Sequence, residues 1–330
     1  VIIQDNAIVS VQSGSVSVLS GTATFFDDNA SVSTVSGTVN IDVGTLLTMD
    51  PGSTISGAGT ASVTLTARDV LLNAGSNIAT VDGDILISAN QGSGVGDFEG
   101  ITSSAWIRST GAGDIRLEAV GGNTAGDDGI YIVGSASNNG KIQTNSGNVV
   151  LDGVTQSGVT VGGAGVLLTG TTVEVSSTSG NVSVFGSAFG QSSAGAHYGV
   201  QLLGGAQVKA GGAGTIDVDG NGGSNGDSNH GVYLSGSNTL IRGHNGAVNI
   251  TGVGGPAGIA GDNLYRGVNL EAGSKVETTG SGPIFISGTG GASAQGTGHA
   301  GVLIGSGSTT SADVASVNGD ITIIGQGKLG

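Results

Sequence analysis

Short runs of alternating apolar and polar residues recur along the chain, each opened by a small residue. The frame small–x–apolar–x–apolar fits at Gly14, Gly37, Ala61, Gly83, Gly113, Gly147, Gly180, Gly214, Gly246, Gly282 and Gly319. The spacings are 23, 24, 22, 30, 34, 33, 34, 32, 36 and 37 residues, and every apolar slot holds Val, Ile or Leu. Alternation of period two predicts half-buried strands. A second strand follows in the longer units, as "GIYI" at Gly129, "GVLL" at Gly165, "GVQL" at Gly199, "GVYL" at Gly231, "GVNL" at Gly267 and "GVLI" at Gly301. A third follows a small-residue corner, as "PGSTI" at Pro51, "AGSNI" at Ala74, "NNGKI" at Asn138, "GGAQV" at Gly204 and "AGSKV" at Ala272. No segment carries apolar residues at helical spacing for more than a turn.

A propeller blade needs four meandering strands and about 40 residues or more. The early units of 22 to 24 residues are too short for that and suit one turn of a solenoid. The pattern therefore predicts an all-β chain, a parallel β-helix of about ten coils with three short strands per coil. Like strands stack ~4.8 Å apart, giving a rod ~48 Å long.

The rod divides by coil length near residue 83. Residues 1–82 form a short-coil part and residues 83–330 a long-coil part of 30 to 37 residues per coil, within one continuous solenoid. The added length sits between the first and second strands, as in "GNGGSNGDSNH" (220–230) and "GVGGPAGIAGDNLYR" (252–266). Recurring at one place, these segments are expected to line one side of the rod. The outward column after the leading small residue reads Ser15, Thr38, Ser62, Asp84, Asp114, Asn148, Asn181, Thr215. Such columns hydrogen-bond along the axis, and Asp84 and Asp114 are expected to repel slightly.

Composition changes this picture little. Glycine occupies 67 positions and proline 3, below the combined share of a low-complexity disordered chain. Sharp corners and close coil-to-coil approach account for the glycine. Hydrophobic residues, at 37%, suffice for a core if placed regularly. The net charge is -15, and the nine Lys and Arg form no basic run, which argues against nucleic-acid binding. An acidic chain is repelled by anionic lipid, and no apolar run reaches membrane-spanning length. Cysteine is absent, so disulfides and thiolate metal sites are excluded. The opening "VIIQDNAIVS" reads as a processed or excised piece of a secreted protein, and the last unit, "GDITIIGQGKLG", stops after its first strand.

The segments "GTVNIDVGTLLTMDPGSTISG", "ARDVLLNAGSNIATVDGDILISA" and "GDIRLEAVGG" resemble the repeats of filamentous-haemagglutinin-type exoproteins and related large adhesins of Gram-negative bacteria. The likeness runs over nearly the whole chain and is strongest around residues 37–120. It implies a right-handed parallel β-helix, export through an outer-membrane pore, and a surface or fibre role.

Four constellations bear on chemistry. In "DVDGNGGSNGDS", Asp217, Asp219, Asn221 and Gly222 match the first half of a calcium loop, making Asp217, Asp219 and Asn221 candidate Ca2+ ligands. The twelfth position is Ser228 rather than the bidentate Glu, and strand alternation alone already points Asp217 and Asp219 outward. Three histidines, His197, His230 and His299, fall just before second strands, with His244 elsewhere; solvated imidazoles outweigh a metal pair at His197 and His230. Arg116, Glu118 and Asp152 lie on neighbouring first strands, where glycan-cleaving chemistry would need convergent carboxylates. Trp106 stands where a second strand is expected and reads as core filling rather than as a ligand platform.

No catalytic, cofactor-binding or metal residue is assigned on this evidence, and the chain is expected not to be an enzyme. The reading is a structural or adhesive rod at the bacterial surface or outside the cell. Its partners would be protein or glycan ligands, or copies of itself, with no nucleic acid and no membrane insertion. The alternatives are a glycan-active β-helix lyase or hydrolase, and a subunit of an extracellular filament.

Overall fold

The computed structural model describes residues 1–134, 139–156, 162–189, 195–224, 228–256, 264–291, 298–306 and 310–328. Among them there is no helix. The chain forms three parallel sheets of eleven strands each. Sheet 1 runs from Ile2–Ile3 to Val302–Ser306, sheet 2 from Ile8–Val11 to Asp313–Ser316, and sheet 3 from Val16–Ser20 to Ile321–Gln326. The chain visits the sheets in rotation, so each rung contributes one strand to each: a parallel β-helix with three strands per coil.

The repeat frame forms sheet 3, the "GIYI"-type strands form sheet 1, and the "AGSNI"-type strands form sheet 2. Pairing is in register, as where Val149, Leu151 and Gly153 lie over Ile115, Leu117 and Ala119 and under Val182, Val184 and Gly186. The frame slots from Val39 to Ile286 are at most 1% exposed. They belong to one hydrophobic cluster that runs the length of the rod. Val248 and Ile284 share that cluster and pair directly. Ile321 and Ile323, in the last rung, are each 43% exposed because no coil covers them.

Two further columns bind rung to rung. Buried hydroxyls at the end of sheet 2 reach the corner into sheet 3: Thr144 Oγ1 donates to the Gly113 carbonyl at 3.0 Å and Ser177 Oγ to that of Gly147 at 2.8 Å. The outward column beginning at Ser15 also bonds along the axis. From Asp84 to Thr215 each side-chain oxygen accepts the backbone N–H of the next rung: Asp114 N–H to Asp84 Oδ1 at 2.9 Å, Asn148 to Asp114 Oδ1 at 2.6 Å, Asn181 to Asn148 Oδ1 at 3.0 Å, Thr215 to Asn181 Oδ1 at 2.9 Å. At Asp84 and Asp114 the column is joined through the backbone, the N–H of Asp114 meeting the Asp84 carboxylate.

Glycine at the sheet 2–sheet 3 corner has a steric cause. A Cβ on Gly147 would lie 2.1 Å from the carbonyl oxygen of Gly113, and one on Gly180 would lie 2.0 Å from that of Gly147. Stacked backbones there leave no room for a side chain.

The position of Trp106 is also corrected. It belongs to sheet 2, between Asn77 and Lys141, and faces outward, half-buried. The sheet 1 strand of that rung is the short Ile101–Ser103, which pairs with Val70 through Leu72.

Candidate functional site

Chemistry concentrates where sheet 3 hands over to sheet 1. In the first rungs that passage takes only residues 21–23, 44–45 and 68. From Ala89 onward the two strands are separated along the sequence by residues 90–100, 121–129, 155–162, 188–196, 222–231, 254–267 and 290–301. The first two segments are fully described. Asn90, in a left-handed conformation (φ 52°), ties the first segment down. Its Oδ1 accepts the Gly94 N–H at 2.6 Å, and its Nδ2 donates to the carbonyls of Gly94 and Gly121 at 3.0 and 3.2 Å. Phe98 is buried beneath Arg68, whose guanidinium carbon lies 4.9 Å from the ring centre.

The two segments stack Glu99 against Asp128. The backbone N–H of Asp128 donates to the Glu99 carboxylate, and Asp128 Oδ1 accepts the Ala164 N–H at 2.5 Å. Asp127 Oδ2 accepts the Thr124 N–H at 2.6 Å, and the Thr124 hydroxyl lies between Asp127 (3.0 Å) and Asp97 (2.8 Å). Burial, reinforced by the nearby Asp128 charge, pushes the Glu99 carboxyl up to about 8. Burial likewise raises Asp128 to about 7, and raises Asp69 to about 6 against the opposing pull of Arg68. Asp127 and the hydroxyl of Tyr131 are also raised, chiefly by burial. Burial thus favours the protonated forms across this cluster.

Further along the same corner the stack turns aromatic. Tyr198 and Tyr233 stack with centroids 5.1 Å apart, and His230 leans on both at 5.6 and 5.4 Å. The Tyr233 hydroxyl donates to Glu271 Oε1 at 2.5 Å. Burial, then the Arg266 charge, pushes His230 down to about 3. The imidazole is therefore neutral, with Nδ1 accepting the backbone N–H of Arg266 at 3.3 Å.

His197 is buried, its N–H donating to Asn229 Oδ1 at 2.9 Å; His299 stacks on Tyr265 at 5.3 Å; His244 is exposed beside the Thr279 hydroxyl. Among the described residues, no three His, Asp or Glu side chains are arranged to hold a metal ion.

The calcium-loop reading is corrected by the geometry. Asp217, Asp219 and Asn221 lie on one straight strand, Ile216–Asn221, in sheet 3. Alternate strand residues sit ~7 Å apart and point the same way, so the three cannot wrap around one ion. Asp217 instead accepts Asn249 Nδ2 at 2.8 Å, and Asn221 Nδ2 reaches Ser187 Oγ at 3.4 Å. Residues 225–227 of the matched stretch lie outside the described residues. Arg116, Glu118 and Asp152 do come together. Glu118 pairs in register with Asp152, and Arg116 bridges both carboxylates at 2.9 and 3.4 Å on the exposed side of sheet 3.

No protein-family model, curated protein or solved structure matches this chain. The geometry alone bears on function.

One property of the rod as a whole is not apparent in the linear sequence. Outward-facing charges are segregated by sheet. The strands of sheet 3 carry Arg116 against Asp42, Glu118, Asp152, Asp217 and Asp219, a net -4. Those of sheet 1 carry Asp69 and Glu271, a net -2. Those of sheet 2 carry Arg108, Lys141, Lys209, Arg242 and Lys275 against Glu174, Glu277 and Asp313, a net +2 in a chain of net charge -15.

Proposed function

We propose that this chain is a structural or adhesive rod segment of a secreted bacterial surface protein, working outside the cell. The observation that carries the reading is the unbroken parallel stack. Three sheets and one lengthwise core give a stiff spacer with long, regular faces. A solenoid of this kind is built from nearest-neighbour contacts and presents extended surfaces. The resemblance of residues 37–120 to adhesin repeats supports the same role, and the passages between sheets 3 and 1 give one side of the rod a distinct relief.

Its ligands are proteins or glycans on another surface. The test is adhesion of beads coated with the purified chain to bacterial and animal cells. Binding that saturates and is competed by free chain is expected; coated beads that bind no better than albumin-coated beads overturn the adhesive part.

A glycan-active enzyme is the reading to compare, because Arg116, Glu118 and Asp152 meet on one face. Arg116 pairs both carboxylates at an open surface, which suits a stabilising ladder. A polysaccharide panel assayed with the intact chain and with Glu118→Ala and Asp152→Ala decides between them. Turnover by the intact chain alone would replace the rod reading.

A further inference from the structure

We propose that sheet 2 carries a binding groove for an extended carboxylated polysaccharide, anchored at Arg108 and Trp106. It deepens the adhesive reading by naming a ligand class, and it uses a face other than the loop-bearing side.

Three depressions of about 350, 310 and 490 Å3 lie along sheet 2. They adjoin in a row: the first and second share Arg108 and Thr110, and the second and third share Glu174, Ser176 and Thr178. Together they run from the rung of Thr34 to that of Thr279. Nine rungs at ~4.8 Å make a channel about 38 Å long. One wall is the outer face of sheet 2, and the other is the turn into sheet 3. A channel of this length and straightness suits a linear polymer, not a compact ligand.

The charge selects an acidic one. Five of the chain's nine Lys and Arg stand on this face, the only one of the three sheet faces with a positive balance. Arg108, Lys209 and Arg242 occupy one column, separated by Gln143 and Ser176. Lys209 is paired with Glu174 at 2.8 Å, and Arg242 with Glu277.

Arg108 differs from them. Among the described residues it has no carboxylate partner, and its buried Nε has no hydrogen-bond partner. Its guanidinium carbon lies 4.0 Å from the centre of the Trp106 ring, and the Trp106 N–H donates to Gln143 Oε1 at 3.0 Å. Stacking and that hydrogen bond fix the planar fork before any ligand arrives. A fixed, unpaired guanidinium matches a carboxylate bidentately, and the exposed part of the indole offers a surface for a sugar ring.

The three carboxylates on the same face argue against a densely charged polymer such as a nucleic acid. A glycan with an acid on alternate sugars would place carboxylates near Arg108 and, about 14 to 19 Å further on, near Lys209 and Arg242. Ser33, Ser56 and Ser176 supply hydroxyl groups along the path.

The experiment is surface plasmon resonance with the full chain over immobilised hyaluronan, with dextran, chondroitin sulfate and single-stranded DNA as comparison surfaces. Hyaluronan binding that weakens with salt is expected. Arg108→Ala should weaken it about tenfold, the scale of a lost charge-assisted bidentate contact. Trp106→Ala should weaken it less, while Arg116→Ala on sheet 3 leaves it unchanged; circular dichroism of each variant checks the fold. Hyaluronan binding indifferent to Arg108→Ala, equal binding to dextran, or tighter binding to DNA overturns the proposal. Stronger binding to chondroitin sulfate, still lost with Arg108→Ala, keeps the groove and assigns it to sulfated as well as carboxylated glycans. Beads that adhere to cells while the chain ignores hyaluronan would retain the adhesive reading and remove this one.

Discussion

Asp128 donates its backbone N–H to the carboxylate of Glu99 one rung below, and both carboxyls titrate far above their ordinary range. Glu99 moves from 4.5 to about 8 and Asp128 from 3.8 to about 7, both because burial penalises the charged form. The fold therefore binds more protons than the unfolded chain between those values. Its stability should be greatest at the acid end of this window, and should fall as pH rises through it toward about 8. Thermal melts followed by circular dichroism from pH 6.5 to 8.5, above the range in which buried His230 acts with the opposite sign, should show a declining midpoint. Glu99→Gln should flatten the decline. A midpoint that rises with pH across this window contradicts the assignment.

Gly180→Ala tests the close approach of successive corners. The new Cβ would lie 2.0 Å from the Gly147 carbonyl oxygen, so backbone must move. A loss of about 1–3 kcal/mol is expected in urea titration. Gly92→Ala is the control. Nothing lies within 4 Å of its Cβ, and the change should stay within about 0.5 kcal/mol.

Leu151 is fully buried between Leu117 and Val184 in the lengthwise core. Leu151→Ala should cost about 2–5 kcal/mol by equilibrium unfolding, as large-to-small core changes do.

Arg116→Ala removes two ion pairs from an exposed surface, where its side chain is 45% accessible. A change of at most about 1 kcal/mol is expected. A much larger loss would mean that the Glu118–Asp152 stack depends on the arginine to form at all.

The frame strands were legible because their inward slots hold only Val, Ile and Leu, and a parallel stack repeats the same demand at every rung. Trp106 was misplaced for the converse reason. Its sheet 1 neighbour, Ile101–Ser103, has a serine in the second inward slot and lacks the paired aliphatics that mark other sheet 1 strands. Asp217, Asp219 and Asn221 mimicked a calcium loop because outward polar positions two apart, followed by a glycine exit, reproduce its spacing on a straight strand. The buried acids lie outside the alternating runs, so the pattern does not single them out. A signal was present: Glu99-Gly100-Ile101 and Asp128-Gly129-Ile130 share one offset, and aligning those strands stacks the two carboxyls. The cationic balance of sheet 2 has no linear signal, since its five cations come from five separate rungs.

The central claim is that distance along the molecule is set by rung number, not by separation along the chain. The absence of cysteine allows spin labels to be placed in pairs without removing native thiols. Thr64, Val150, Ser183, Asn249 and Thr322 share one outward column of sheet 3. Double electron–electron resonance from a label at Thr64 should give backbone separations of about 14, 19, 29 and 38 Å to the other four, a straight line at ~4.8 Å per rung. Separations that level off, or that shorten toward Thr322, would contradict a parallel stacked rod.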